Sequence, residues 1–218
     1  MTTARVGVLA LQGDFARHAA TLEALGTTAV RVSAPRDFEG LDALVLPGGE
    51  STTMLRLMEV NGLRAPLQGF VRERPVLGTC AGVILLAREA DRLPAPTLGA
   101  LDITVGRNAY GRQIDSFEAE LETPPLGPPA FAGVFIRAPR ILRVGPGVEV
   151  VARHGPDPVG VRQGRVVGLC FHPELTTDLR FHRWFLTAVA GLAAPPPRAA
   201  AAAGAAAAAA ATTLGGRA

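Results

Sequence analysis

The sequence contains no lysine: all 22 of its basic residues are arginine. It has only two cysteines, one tryptophan and one tyrosine, and aromatic residues make up 5% of the chain. Two cysteines cannot build a disulfide scaffold, which points to a reducing, cytoplasmic setting. The isoelectric point near 9.6 would suit a nucleic-acid partner. The arginines are scattered rather than clustered, however, and alanine, glycine and proline are abundant, so the basic balance reads as compositional bias on a solvated surface with no nucleic-acid role. Long apolar runs are missing as well. The N-terminal stretch "MTTARVGVLALQGDF" reaches Gln, Gly and Asp within a dozen residues, which fits a first strand and not a signal peptide. Alanine is too weakly apolar for the alanine-rich C-terminal segment to anchor in a bilayer, so no membrane association is expected.

What is present suits one globular domain. The 218 residues are 48% hydrophobic and 19% charged, enough for a sizeable core. Residues 5–11, 28–33, 41–49 and 74–79 read as strands; residues 14–26, 52–60, 63–72 and 81–89 read as helices. This alternation predicts an α/β fold, a flavodoxin-like three-layer sandwich with a mostly parallel central sheet and helices on both faces. Between about 98 and 170 the pattern changes to strands joined by Pro/Gly turns, an added antiparallel section. A helix over 176–192 closes the domain, with Phe181, Trp184, Phe185 and Val189 as its core stripe. The domain therefore covers 1–192, and 193–218 form a low-complexity Ala/Pro/Gly tail with little to bury, expected to be disordered.

One cysteine has an unusual setting. Gly78-Thr79-Cys80-Ala81-Gly82 separates a strand from a helix, the G-x-C-x-G spacing of a nucleophile elbow. Such a turn strains the nucleophile's backbone and aims the thiol at the carboxyl edge of the sheet, beside a helix N-terminus that favours thiolate. Cys170, in "VVGLCFHPE", lacks this context and reads as structural. A thiol nucleophile needs a histidine and an orienting partner. His18 and His182 fall in amphipathic helices among arginines and His154 in a Gly/Pro loop, so these three read as surface residues. His172 follows a buried-looking strand and opens "HPE". Pro173 biases it to extended geometry, so Glu174 at i+2 can lie beside the imidazole. The segment "LPGGESTT" ends another strand and opens a helix. Gly48 and Gly49 there offer open backbone, which with the amide of Ala81 can form an oxyanion hole, a device that removes about 3–4 kcal/mol of barrier. A plain strand–helix turn capped by Ser or Thr would look similar.

These residues resemble a known family. G-x-C-x-G followed about ninety residues later by H-P-E is similar to the class I glutamine amidotransferases, with their Cys-His-Glu triad. "LALQGDFARH", "LPGGESTTM", "RNAYGRQIDSFEAEL", "FIRAPRI" and "FHPEL" narrow the resemblance to the glutaminase subunits of pyridoxal 5′-phosphate synthases, in colinear order over about residues 5–190. Gly106 departs from that pattern, which commonly has an acidic residue before Arg107. The resemblance implies hydrolysis of L-glutamine to glutamate and ammonia, with Cys80 as nucleophile, His172 as general acid and base, and Glu174 as its orienter. It places glutamine binding at Gly49, Glu50, Ser51, Arg107, Ile136 and Arg137. It also implies a synthase subunit that takes up the ammonia in a hetero-oligomeric complex and stimulates the glutaminase. No cofactor or metal enters this reading.

Two other classes compete: a different cysteine hydrolase on the same sheet, and a phosphate- or flavin-binding module using "GGESTT" as an anion cradle. Glu50 would repel phosphate, and the lysine of a P-loop is missing. A non-catalytic scaffold would have no use for an intact triad.

Because the tail has no apolar stripe to dock, truncation after Leu192 is expected to leave the melting temperature and glutaminase rate close to those of the full chain. A large drop in melting temperature on truncation would show that the tail packs.

Overall fold

The computed structural model describes residues 3–107 and 116–193. The elements in chain order are β1 (Arg5–Leu9), α1 (Phe15–Ala24), β2 (Thr28–Val32), β3 (Ala43–Leu46), α2 (Ser51–Val60), α3 (Arg64–Glu73), β4 (Val76–Thr79), α4 (Ala81–Leu86) and β5 (Ala87–Ala90). They continue with β6 (Leu101–Gly106), β7 (Ser116–Leu121), β8 (Phe131–Ile136), β9 (Arg140–Val144), β10 (Glu149–His154), β11 (Asp157–Gln163), β12 (Val166–Leu169) and α5 (Arg180–Trp184).

Seven strands form the main sheet in the order β10-β11-β12-β4-β3-β1-β2. The five from β12 to β2 run parallel, while β10 and β11 form the antiparallel end. Apolar runs such as "ALVL" in β3 and "VVGL" in β12 are buried at every position, as parallel strands covered on two faces require. The chain steps from β1 to β2 in one direction and from β3 to β4 in the other. Right-handed crossovers therefore put α1 on one face and α2 and α3 on the opposite face. Two further sheets complete the fold: β5-β6-β9, in which β6 is parallel to β5 and antiparallel to β9, and the antiparallel pair β7-β8. Among the described residues, no helix is long and apolar enough to cross a membrane.

Two helix boundaries differ from the sequence reading. Residues 81–89 are not one helix: α4 stops at Leu86, and β5 leaves it to pair with β6. The expected helix over 176–192 is shorter and less regular, with a 3-10 turn at Pro173–Leu175, α5 at 180–184 and a π-helical turn at Phe185–Val189. Phe181, Phe185 and Val189 are buried as expected and Trp184 is half-buried, but Leu186 and His182 are buried too. The expected tail from 194 onward lies outside the described residues.

The position of α4 explains the elbow's glycines. A Cβ on Gly82 would run into the backbone carbonyl of Leu46 in β3, and one on Gly78 would lie 2.7 Å from the Gly82 carbonyl carbon. On the neighbouring strand a Cβ on Gly168 would lie 2.5 Å from Val83 Cγ2. The helix thus rests directly on the sheet floor. Its neighbour is backbone that cannot rotate away, so Gly82→Ala is expected to lower stability by roughly 1–3 kcal/mol or more, read as a lower urea midpoint. An unchanged midpoint would mean that α4 can lift off the sheet at little cost.

Candidate active site

The first four strands that matter here, β1, β3, β4 and β12, all end at the same edge of the sheet, across the point where the strand order reverses. This is where open α/β sheets leave a crevice. β4 and β12 are parallel neighbours in register from Val76↔Val166 to Thr79↔Leu169. The residue after β4 is Cys80, and the one after Leu169, Cys170 and Phe171 is His172. The Cys80 amide N–H donates to the Leu169 carbonyl at 2.8 Å, which carries the ladder one step past the strand. Cys80 itself has φ +49°, in the left-handed region that a non-glycine residue occupies at a cost. The elbow inferred from the sequence is present.

His172 and Glu174 meet as the spacing suggested, through different local geometry. His172 is near-extended, but Pro173–Leu175 form a 3-10 turn that brings Glu174 back under the ring. Nδ1 of His172 lies 2.7 Å from Glu174 Oε1. The His172 amide donates to the Val134 carbonyl at 2.8 Å, so β8 buttresses the histidine from the side. Phe131, Phe135, Phe171 and Phe181 pack edge-on or tilted behind it. Gly48 closes the other side, where a Cβ would collide with Cε1 of His172 and lie 3.3 Å from Cys80 Cβ. The Cys80 Sγ is 3.8 Å from the Ile136 carbonyl.

Cys80, His172 and Glu174 are all buried. Burial opposes protonation of His172, but the sulfur of Cys80 and the carboxylate of Glu174 outweigh it and raise the imidazole to about 10. Burial likewise opposes ionisation of Glu174, yet His18 beside it and the hydrogen bond from His172 hold its carboxyl well below the usual range. Cys170 is fully buried, and its thiol is pushed far up by desolvation and by Cys80, which suits a structural residue and not a nucleophile.

A cavity of about 390 Å³ opens over Cys80 and His172. Gly48, Gly49, Glu50, Ser51, Arg107, Ile136 and Arg137 all line it, so the structure gathers every residue expected to bind substrate. Gln12, Gly13, Asp14 and Ile84 also line it and were not singled out. The loop after β1 carries the first three, and "LQGDF" signals it only as a turn after a strand. Ala81 follows Cys80 at the head of α4 and is buried, while Glu174 sits behind His172, outside the cavity lining. The residues from 108 to 115, most of "RNAYGRQIDSFE", lie outside the described residues.

Two expectations need correction. The cap of α2 is Glu50, not a serine or threonine: its carboxylate accepts from the amides of Thr52 at 3.1 Å and Thr53 at 2.6 Å. Burial works against that charge, but these amides win and keep the Glu50 carboxyl below its ordinary value. They are also the donors an anion cradle would use, so the phosphate-binding alternative loses its site. Arg107 is not a free fork either. Its guanidinium meets Glu50 Oε1 and Thr52 Oγ1, each at 3.2 Å, and the Arg92 carbonyl at 2.6 Å. The second correction concerns His18 and His182, which are fully buried, not at the surface. His154 is half-buried against Phe117 and Phe135. Among the described residues no cluster of His, Cys, Asp and Glu is arranged to hold a metal ion.

A nucleophilic thiol, an imidazole and an orienting carboxylate at the mouth of a polar-edged cavity can perform acyl transfer. The raised His172 also has a stability consequence. A group whose folded value (about 10) exceeds its unfolded one (6.5) adds stability in full below pH 6.5 and loses it as pH rises through 10. The urea midpoint of the protein should therefore exceed that of His172→Asn most near pH 6, with the gap narrowing as pH rises toward 10. A gap that widened with pH would mean that the imidazole is neutral in the fold.

The model of the SNO glutamine amidotransferase family matches residues 8–191. The pyridoxal 5′-phosphate synthase subunit PdxT of Thermus thermophilus is 55% identical over 184 residues, 83% of this chain and 95% of that protein. The subunit of the same name from Pelotomaculum thermopropionicum is 54% identical over 186 residues, 84% of this chain and 93% of that one. A crystal structure described as a glutamine amidotransferase superposes with a TM-score of 0.81 at 50% identity, covering 86% of this chain and 99% of the other. A putative GMP synthase subunit from Thermoplasma acidophilum shares the fold at 16% identity, with a TM-score of 0.63 over 88% of this chain and 96% of its own.

Proposed function

The chain belongs to the SNO glutamine amidotransferase family, and from that premise we propose that Cys80, His172 and Glu174 release ammonia from L-glutamine in the cavity above them. The chain is a glutamine amidotransferase, so its substrate amide is that of glutamine and its nitrogen product is ammonia. The observation that carries the residue assignment is Cys80 in a left-handed elbow with His172 and Glu174 stacked behind it at the cavity floor.

In this reading the Cys80 sulfur attacks the side-chain amide carbon. Charge develops on the amide oxygen, where the N–H of Ala81 and an N–H from Gly48-Gly49 receive it. Imidazolium His172 gives its proton to the departing nitrogen, which leaves as ammonia, and a thioester remains. Water then attacks that thioester, His172 takes the water's proton, and glutamate leaves as the sulfur departs as thiolate, which regenerates the thiolate–imidazolium pair. Glu174 fixes the ring tautomer throughout and stabilises the imidazolium. Gly49, Glu50, Ser51, Ile136 and Arg137 hold the amino-acid end of glutamine. Arg107 supports that wall through Glu50 and Thr52.

Ammonia freed into neutral water is mostly protonated, and ammonium is no nucleophile. Passing ammonia directly to an acceptor site would avoid that loss. Relatives of this chain are named as subunits of pyridoxal 5′-phosphate synthase, and the partner proposed here is the synthase subunit that consumes the ammonia to build pyridoxal 5′-phosphate.

The test is glutaminase activity of the purified chain with and without that synthase subunit. Marked stimulation on complex formation is expected. Cys80→Ala should lose at least about a thousandfold in kcat while keeping its fold, and Glu174→Ala should lose less than His172→Ala by about one to two orders of magnitude. Arg107→Ala is expected to raise KM. Full activity in Cys80→Ala, or labelling of Cys170 instead by an electrophilic glutamine analogue, would overturn the residue assignment.

A further inference from the structure

Glu174 has a second partner. While Oε1 faces His172, Oε2 lies 3.3 Å from Nε2 of His18, in the middle of α1. The same Nε2 is 3.1 Å from Thr79 Oγ1, one residue before the nucleophile. Nδ1 of His18 is 3.0 Å from Nε2 of His182 in α5. His18, His182 and Thr79 are all completely buried. A buried, unbroken string of polar groups thus runs from α5 through α1 to Glu174 and His172.

Donor chemistry fixes its direction. An ionised carboxylate only accepts, so Nε2 of His18 carries the proton it shares between Glu174 and Thr79. Among the described residues Nδ1 of His182 has no partner. A buried acceptor left unpaired is tolerated better than a buried N–H, so His182 bears its proton on Nε2 and donates to Nδ1 of His18. Burial lowers His182 to about 3, so it is neutral and has a single ring proton to place. The N–H groups of the string then run from His182 to His18 and from His18 to Thr79, with Glu174 Oε2 beside the last of them.

We infer that His18 is a positioning residue for the glutaminase reaction, its Nε2–H holding the outer oxygen of Glu174 so that the inner oxygen stays on Nδ1 of His172. The inference rests on the proposed triad. Glu174 sits on a short 3-10 turn, and its outer oxygen is buried without a well-formed hydrogen bond, so the Nε2–H of His18, 3.3 Å away and bonded to Thr79 Oγ1, acts on it as a close electrostatic contact. Without His18 that oxygen would lose the one side chain that faces it with an N–H. The carboxylate would turn away from His172 or take up a proton, and in both cases the imidazolium would lose its stabiliser. The titratable groups that face this pair are His172 and His182, and the Thr79 hydroxyl completes the contacts.

The full chain is tested as His18→Leu, His18→Gln, His18→Asn and His182→Leu, with kcat and KM for glutamine in the presence of the synthase subunit. In parallel, the pH profile of Cys80 alkylation by iodoacetamide reports on the dyad without any substrate. His18→Leu is expected to lower kcat by about 10–100-fold, the usual loss when an outer partner of an active-site group is removed, with KM little changed. Its alkylation profile should lose the alkaline limb at lower pH than the parent, because His172 holds its proton less tightly. The amide of Gln reaches where Nε2 stood, so His18→Gln should recover most of the rate; Asn is too short and should not. His182→Leu should fall between. If His18→Leu does not fold, the Gln/Asn pair decides alone. Equal rates and equal alkylation profiles for Gln and Asn, or a parental profile in His18→Leu with only a lower melting temperature, would reduce His18 to a packing residue. A parent that alkylates normally yet hydrolyses no glutamine would instead overturn the proposed function.

Discussion

The hydrogen bond from the Cys80 amide to the Leu169 carbonyl joins the two halves of the site. It exists because β4 and β12 are parallel neighbours, and it holds the elbow in a backbone conformation that a lone cysteine would leave. From it follow the approach of His172, the contact with Gly48, and the position of the cavity over both. The glycines around it serve the same end. Gly78, Gly82 and Gly168 let α4 sit on the sheet without side chains between. The chain direction after Thr79 is therefore set by backbone packing and not by flexible contacts.

The electrostatics of the site are organised inward. His172 and Glu174 share a buried pair whose charges support each other against desolvation, as the raised imidazole and lowered carboxyl both indicate. The outer wall is organised separately. Glu50 caps α2, Arg107 ties Glu50 to the Arg92 carbonyl, and Gln12 accepts from the Glu50 amide at 3.1 Å. The outer wall of the cavity is thus a hydrogen-bonded unit drawn from four loops, distinct from Cys80, His172 and Glu174 behind it.

Much of this was legible in the sequence because its signals are local. Strand–helix alternation, the G-x-C-x-G turn and the i to i+2 spacing of His172 and Glu174 are short-range patterns that need no knowledge of distant contacts. Two of the failures share one cause, contacts distant in the chain. His18 and His182 stand among arginines on helices, which reads as surface, yet their partners are 61 and 164 residues away in the chain. The early end of α4 has the same origin: Ala87–Ala90 leave the helix because β6 offers them a ladder. Glu50 displaced Ser51 as the cap because its carboxylate reaches two amides at once, a geometry that residue identity alone did not rank.

The sheet order also bears on how the protein is made. β12 lies between β4 and β11, so the centre of the main sheet is completed by one of the last strands to be synthesised. While a ribosome is still adding β5 to β11, β4 has an unpaired edge and His172 has not yet been made. Long-range pairing of this kind is slow, and an apolar strand edge left open invites association with other chains. A nascent chain that stalls before β12 then lacks both the strand that completes the sheet and His172, and its open apolar edge leaves it prone to aggregate.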